Sequence, residues 1–145
     1  MTTVAEIIKS KPEGKVHSVK PTDTVLSALK LMADQRIGAV MVMEGDRIAG
    51  IFTERDYARK VVLLGRASID TPISEVMTSA VRFVHPNNSA EQCMALMTEN
   101  RLRHLPVVEG ERVVGLVSIG DLVKSVISAQ QFIITEMERY ITGAR

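Results

Sequence analysis

Tryptophan is absent from this chain, and cysteine occurs once, as Cys93. A single cysteine cannot form an internal disulfide and supplies no thiolate cluster for a metal, which fits a reducing compartment. Charge of one sign is lacking as well: 18 Lys and Arg residues stand against 17 Asp and Glu, a formal net charge of +1. That balance offers no field to a nucleic-acid backbone and implies no electrostatic partner. No apolar run approaches the roughly 20 residues of a membrane-spanning helix, and the start, MTTVAEIIKSKPEGK, lacks the basic and apolar blocks of a leader. The expected location is cytoplasmic, with no membrane partner. A glycine-rich G-x-G-x-x-G, a P-loop, a nucleophile triad and a paired acid/base motif are all missing, so an enzyme is not expected. His17, His85 and His104 have no second ligand at metal spacing, so no metal is expected either.

What is present is a globular composition, with 46% hydrophobic and 24% charged residues, written as a duplication. GIFTERD, residues 50–56, returns sixty-five positions later as GLVSIGD, residues 115–121. The same offset aligns residues 19–61 with 84–126 without a gap. Pro21 meets Pro86, Met32 meets Met97, Arg36 meets Arg101, Glu44 and Gly45 meet Glu109 and Gly110, and Asp56 meets Asp121.

Each copy reads as a short β segment, VHSV or VRFV, then a proline and a polar helix start, PTDT or PNNS. Leu26, Leu29, Met32 and Ala33 recur at helical spacing. GAVMVMEGDRIAGIFT and HLPVVEGERVVGLVS each predict two strands about a glycine turn. A second helix follows, from about Glu54 to Leu64 in the first copy and from about Ile119 to Tyr140 in the second. Val4–Ser10 and Ser74–Met77 read as lead-in helices. The expected fold class is therefore α+β: two β-α-β-β-α repeats, residues 4–68 and 69–127, packed by their sheets with pseudo-twofold symmetry, and a helical tail over 128–145. Cys93 and the methionines fall at core positions.

The repeated heptad has two readings that use the same atoms. Thr53 and Asp56, like Ser118 and Asp121, have the spacing of a helix-capping arrangement in which hydroxyl and carboxylate satisfy orphan amides. A hydroxyl and amides at a helix start also form an anion site, and an acidic residue one turn in can accept hydrogen bonds from the vicinal hydroxyls of a ribose. Gly50 and Gly115 lie within strands, where glycine signals a bulge or a close approach.

VKPTDTVLSALKLM and VHPNNSAEQCMALM, with EVMTSAV and RLRHLPVVEGERVVGLVSIGDLVK, resemble a tandem pair of cystathionine β-synthase (CBS) domains, the arrangement called a Bateman module. The resemblance covers about Val4 to Val126. It implies a regulatory module without chemistry, holding an adenosine ligand such as AMP, ADP, ATP, S-adenosylmethionine or NAD(H) in clefts between the repeats. By position, Asp56 and Asp121 would hold ribose hydroxyls, and Thr53 and Ser118 would face phosphate or ribose. Thr78, Leu105, Pro106 and Val107 would surround one base, and Arg103 and His104 would reach phosphate. The first copy departs from the pattern, with Lys9 where the second has Thr78 and Gly38-Ala39 where it has Arg103-His104. Arg55, matched by Gly120, adds a guanidinium to the first cleft alone, so the two sites are expected to be inequivalent.

The resemblance also implies a homodimer and an unidentified effector protein contacted in trans. The alternative is a structural dimerisation domain whose heptads are plain helix caps. The tail, with Phe132, Ile133, Met137 and Tyr140 at helical intervals, would either cover the module's own edge or help form the dimer.

Overall fold

In the computed structural model, which describes residues 2–11 and 16–142, the first element is the helix Val4–Ser10 (α1), capped by Thr3. The first repeat then runs through strand Ser18–Val19 (β1), helix Val25–Gln35 (α2), and strands Ala39–Glu44 (β2) and Arg47–Thr53 (β3). Its last helix begins as Glu54–Asp56 (α3) and widens to π geometry over Tyr57–Val62. A 3₁₀ turn, Ile73–Glu75, leads to helix Ala90–Asn100 (α4), strands His104–Glu109 (β4) and Arg112–Ser118 (β5), and helix Ile119–Thr142 (α5).

Local chemistry accounts for most of these limits. Thr24 and Ser89 cap α2 and α4 by accepting the amides of Ser27 and Gln92. Both helices end on an arginine in the left-handed region, Arg36 at φ 56° and Arg101 at φ 54°. The hairpins turn through Gly45 and Gly110, at φ 60° and 64°, which glycine adopts without a Cβ penalty. The apolar stripe of α2 is set one residue from the expected one: Val25, Ala28 and Met32 are buried, Leu26 and Leu29 are half-buried, and Ala33 is exposed.

The strands form one sheet in the order β1-β2-β3, with β1 parallel to β2, and a second sheet of β4 and β5. VRFV does not repeat the strand made by VHSV; it contributes one bridge, Val84 to Val107. Proline is the physical reason. Met41 N–H donates to His17 O at 3.2 Å, and the matching residue, Pro106, has no N–H to give.

Packing cuts across the boundaries between the copies. Val4 and Ile7 of α1 sit in one core with Val84, Cys93, Met97, Leu105, Val117 and Leu122 of the second repeat. Ile73 and Val76 sit in another core with Val25, Met32, Val42 and Phe52 of the first. The lead-ins are thus exchanged, and equivalent atoms receive them. The amides of Val4 and Ala5 donate to Asn88 O and Pro86 O, while those of Ile73 and Ser74 donate to Asp23 O and Pro21 O. Ala39, Met41 and Ile51 form a third cluster with Val113 and Leu116, joining the two sheets. Among the described residues, no helix is long and apolar enough to cross a membrane.

Candidate functional site

Two glycines explain how the exchanged lead-ins come so close to the strands. A Cβ on Gly50 would lie 2.7 Å from Thr78 O, and one on Gly115 would lie 2.7 Å from Ile8 Cδ1. Opposite each glycine the ladder slips by one residue, between Val42 and Met43 and between Val107 and Val108. Close approach and bulge therefore occur together, at both copies.

At the end of β3 the first heptad is a complete capping box. Thr53 Oγ1 accepts from Asp56 N–H at 3.1 Å, and Asp56 Oδ2 accepts from Thr53 N–H at 3.0 Å. Thr78 bridges to this strand: its amide donates to Ile51 O at 2.8 Å and its hydroxyl to Asp56 Oδ1 at 3.0 Å. Lys60 Nζ stands 3.3 Å from the same Oδ1. A carboxylate has about four lone-pair sites, and with the Thr53 hydroxyl on Oδ2 all are engaged in this nearly buried group. A ribose hydroxyl reaching Asp56 would take over the place of Thr78, one hydroxyl donor for another.

This helix start faces the other repeat across a cleft of about 430 Å³, lined by Gly38, Ile51, Thr53–Asp56, Thr78 and Arg101–His104. The walls differ in chemistry. Ile51 and Leu102 are apolar; Arg55, Arg101 and Arg103 are cationic. Arg55 also ties the repeats together, its guanidinium donating to Arg101 O at 2.9 Å. The volume lies within the range of small-molecule sites, and the arginines suit a phosphate. Burial holds the His104 imidazole below its ordinary value; Lys11 and Arg103 add to that, and the charge of Asp121 opposes it.

The second heptad repeats the cap and not the surroundings. Ser118 N–H donates to Asp121 Oδ2 at 2.9 Å and Asp121 N–H to Ser118 Oγ at 3.1 Å. The group on the carboxylate is Lys11, whose Nζ lies 3.0 Å from Asp121 Oδ2 and 2.8 Å from Leu116 O. Lys9, the position matched to Thr78 in the sequence, is exposed.

Both occurrences of the pattern are recognised by the family model "CBS domain", which matches residues 4–63 and again 73–128. The chain belongs to the CBS domain family. CBS pairs are regulatory modules, and this one is 37% identical to the CBS domain-containing protein CBSX3, mitochondrial, of Arabidopsis thaliana, over 98% of this chain and 73% of that protein. A solved protein with CBS domains from Burkholderia ambifaria superposes with a TM-score of 0.86 at 57% identity, covering 89% of this chain and 96% of that one. The CBS domain pair of protein MJ0100, solved with 5′-methylthioadenosine and S-adenosyl-L-methionine, shares the fold at TM-score 0.76 and 24% identity, covering 90% and 98%.

Within the CBS pair, the expected site residues separate into three groups. Thr53, Arg55, Asp56, Thr78, Arg103 and His104 converge on the first cleft. Ser118 and Asp121 stand apart, under Lys11. Leu105, Pro106 and Val107 are buried in β4, Leu105 and Val107 inside the second core, and are not among the residues that line this cleft with Thr78. Strand alternation turns Leu105 and Val107 into the second core and Pro106 to the opposite, also buried, face, and Ile51 and Leu102 take the apolar wall. Arg101 and Lys11 are not among the expected site residues, and Lys60, which reads from the sequence as part of a solvated helix face, pairs with Asp56. Arg101 was visible as a repeat identity with Arg36, but its place at the cleft follows from the left-handed cap. Lys11 had no local signal at all. No group of three His, Cys, Asp or Glu side chains suited to a metal occurs among the described residues.

Proposed function

We propose that the first cleft binds an adenine nucleotide, AMP, ADP or ATP, with NAD(H) as a further adenosine ligand. Occupancy would regulate an effector protein in trans, in the cytoplasm, without chemistry on the ligand. The carrying observation is the convergence of Arg101, Arg103 and His104 of one repeat on the capped helix start at Thr53–Asp56 of the other. A phosphate there meets three guanidiniums, a ribose hydroxyl meets Asp56 Oδ1 in place of Thr78, and the base lies against Ile51 and Leu102. Because the cleft is built from both repeats, the ligand favours whichever arrangement of them brings these groups together, and that preference is the signal. The adenosine ligands of the MJ0100 pair belong to that protein; its likeness to this chain carries the fold.

Isothermal titration with AMP, ATP, NAD and NADH tests this reading. Saturable binding of at least one probe is expected, weakened about tenfold or more by Asp56→Asn, as befits loss of a charged hydrogen-bond acceptor. No binding by any of the four overturns it in favour of a scaffold whose heptads only cap helices.

The homodimer rests on a separate observation. Beyond Ser128, α5 exposes Phe132, Ile133, Ile134, Met137, Tyr140 and Ile141, with Met137 at 60% and Tyr140 at 88%. A helix end exposed on all sides gains nothing from tertiary packing, and a second copy would cover this apolar surface. Light scattering on the chain cut after Ser128 is expected to return the monomer mass; an unchanged dimer mass removes the tail from the interface.

A further inference from the structure

Resting on the reading of the clefts as nucleotide sites, we propose that Lys11 is the built-in occupant of the second site, so that the chain takes up one nucleotide and not two. The argument starts from Thr78. In the first cleft its amide donates to Ile51 O at 2.8 Å and its hydroxyl to Asp56 Oδ1 at 3.0 Å. Sixty-five positions on, Ile51 and Asp56 become Leu116 and Asp121. One ammonium serves both: Lys11 Nζ donates to Leu116 O at 2.8 Å and to Asp121 Oδ2 at 3.0 Å. A single cation has replaced a backbone amide and a hydroxyl.

That replacement changes what the site accepts. Thr78 brings a short side chain, which leaves the end of β3 open as a cleft wall. Lys11 brings a four-carbon stem and a full charge to the end of β5. The pair is partly exposed, with side chains at 32% and 24%, so Lys11 holds Asp121 by direct contact and not by burial. A ribose presents Asp121 with neutral hydroxyls, weaker donors to a carboxylate than an ammonium. Position also favours the lysine, because α1 is docked on the second repeat by the bonds from Val4 and Ala5, and Lys11 follows directly at its end.

A second difference acts in the same direction. The counterparts of Arg55, Arg101, Arg103 and His104 are Gly120, Arg36, Gly38 and Ala39. Of these four only Arg36 is a cation, and the cavity beside Asp121 offers Lys11 and Lys124 in place of arginines, so a phosphate there finds no bidentate partner. Lys11 occupies the sugar's anchor at the edge of a cavity of about 500 Å³, and the phosphate side lacks the arginines of the first cleft.

Titration of the full chain with adenosine and AMP, in the parent, Lys11→Ala, Lys11→Arg and Lys11→Ala/Asp121→Asn, decides the matter. The parent and Lys11→Arg are expected to take one ligand per chain and Lys11→Ala two, returning to one in the double variant. A parent that already takes two, or Lys11→Ala that still takes one, overturns the proposal. If the parent takes neither probe, the nucleotide reading itself falls, and accessibility then tests Lys11 alone. A cysteine placed by Ser118→Cys should react with a small thiol reagent several-fold faster when Lys11→Ala is also present; equal rates overturn the proposal. Cys93 is fully buried and burial pushes its thiol up, so the native cysteine reacts slowly.

Discussion

GIFTERD and GLVSIGD share a capping box, a strand glycine and a one-residue slip opposite that glycine, and each aspartate is ion-paired and borders a cavity, yet Asp56 also takes the Thr78 hydroxyl where Asp121 has only the Lys11 ammonium from its lead-in. The two heptads differ in what the rest of the chain lays over them. Thr78 reaches β3 as backbone, through a bridge to Ile51, while α1 reaches β5 as a helix whose end delivers Lys11. Duplication therefore copied the receptor and not its contents. Equivalent strands, caps and turns do not make equivalent sites when the exchanged lead-ins differ in sequence.

The largest expected contrast lies at the two glycines. Gly50→Ala drives a methyl against the backbone oxygen of Thr78, which can withdraw only by breaking the bridge to Ile51, and a loss of about 2–3 kcal/mol is expected. Gly115→Ala meets side-chain atoms of Ile8, Cδ1 at 2.7 Å and Cγ1 at 3.0 Å, and no backbone atom among its nearest neighbours, so a smaller loss of about 1 kcal/mol is expected. Denaturant melts of the two variants check this; equal losses would mean that the lead-ins are held alike.

Next in size is the contrast between the carboxylates in the nucleotide titration. Asp56→Asn should weaken binding, and Asp121→Asn should leave it nearly intact, since Asp121 already serves Lys11. The smallest effect concerns pH. His104 is held below its ordinary value mainly by burial, so as pH falls below about 6.5 the unfolded chain takes up a proton that the folded one resists. Stability should fall on that acid side and show no His104 contribution above it. His104→Ala, which restores the residue found at position 39, should flatten the melting temperature between about pH 5 and 7 relative to the parent; an unchanged slope would sink the assignment.

Much of the fold was legible. The strand limits of both hairpins, the caps Thr24 and Ser89, the turn glycines and the meaning of Gly50 and Gly115 follow from rules that span a few residues. Six of the candidate site residues, from Thr53 to His104, do share one cleft. Where the reading failed, the deciding contact was distant or a neighbour intervened. VRFV kept the pattern of VHSV but met Pro106 across the sheet, and β4 turns Leu105 and Val107 into the second core.

By itself the sequence determined the duplication, the kinds and limits of most elements, and the hydrogen-bonded caps, because each depends on backbone chemistry within one turn or one hairpin. Only the tertiary structure decided which lead-in covers which strand and which cation meets which carboxylate. Those pairings join residues as far apart as Lys11 and Asp121, and no periodicity along a chain specifies which side chain crosses a gap between two packed repeats.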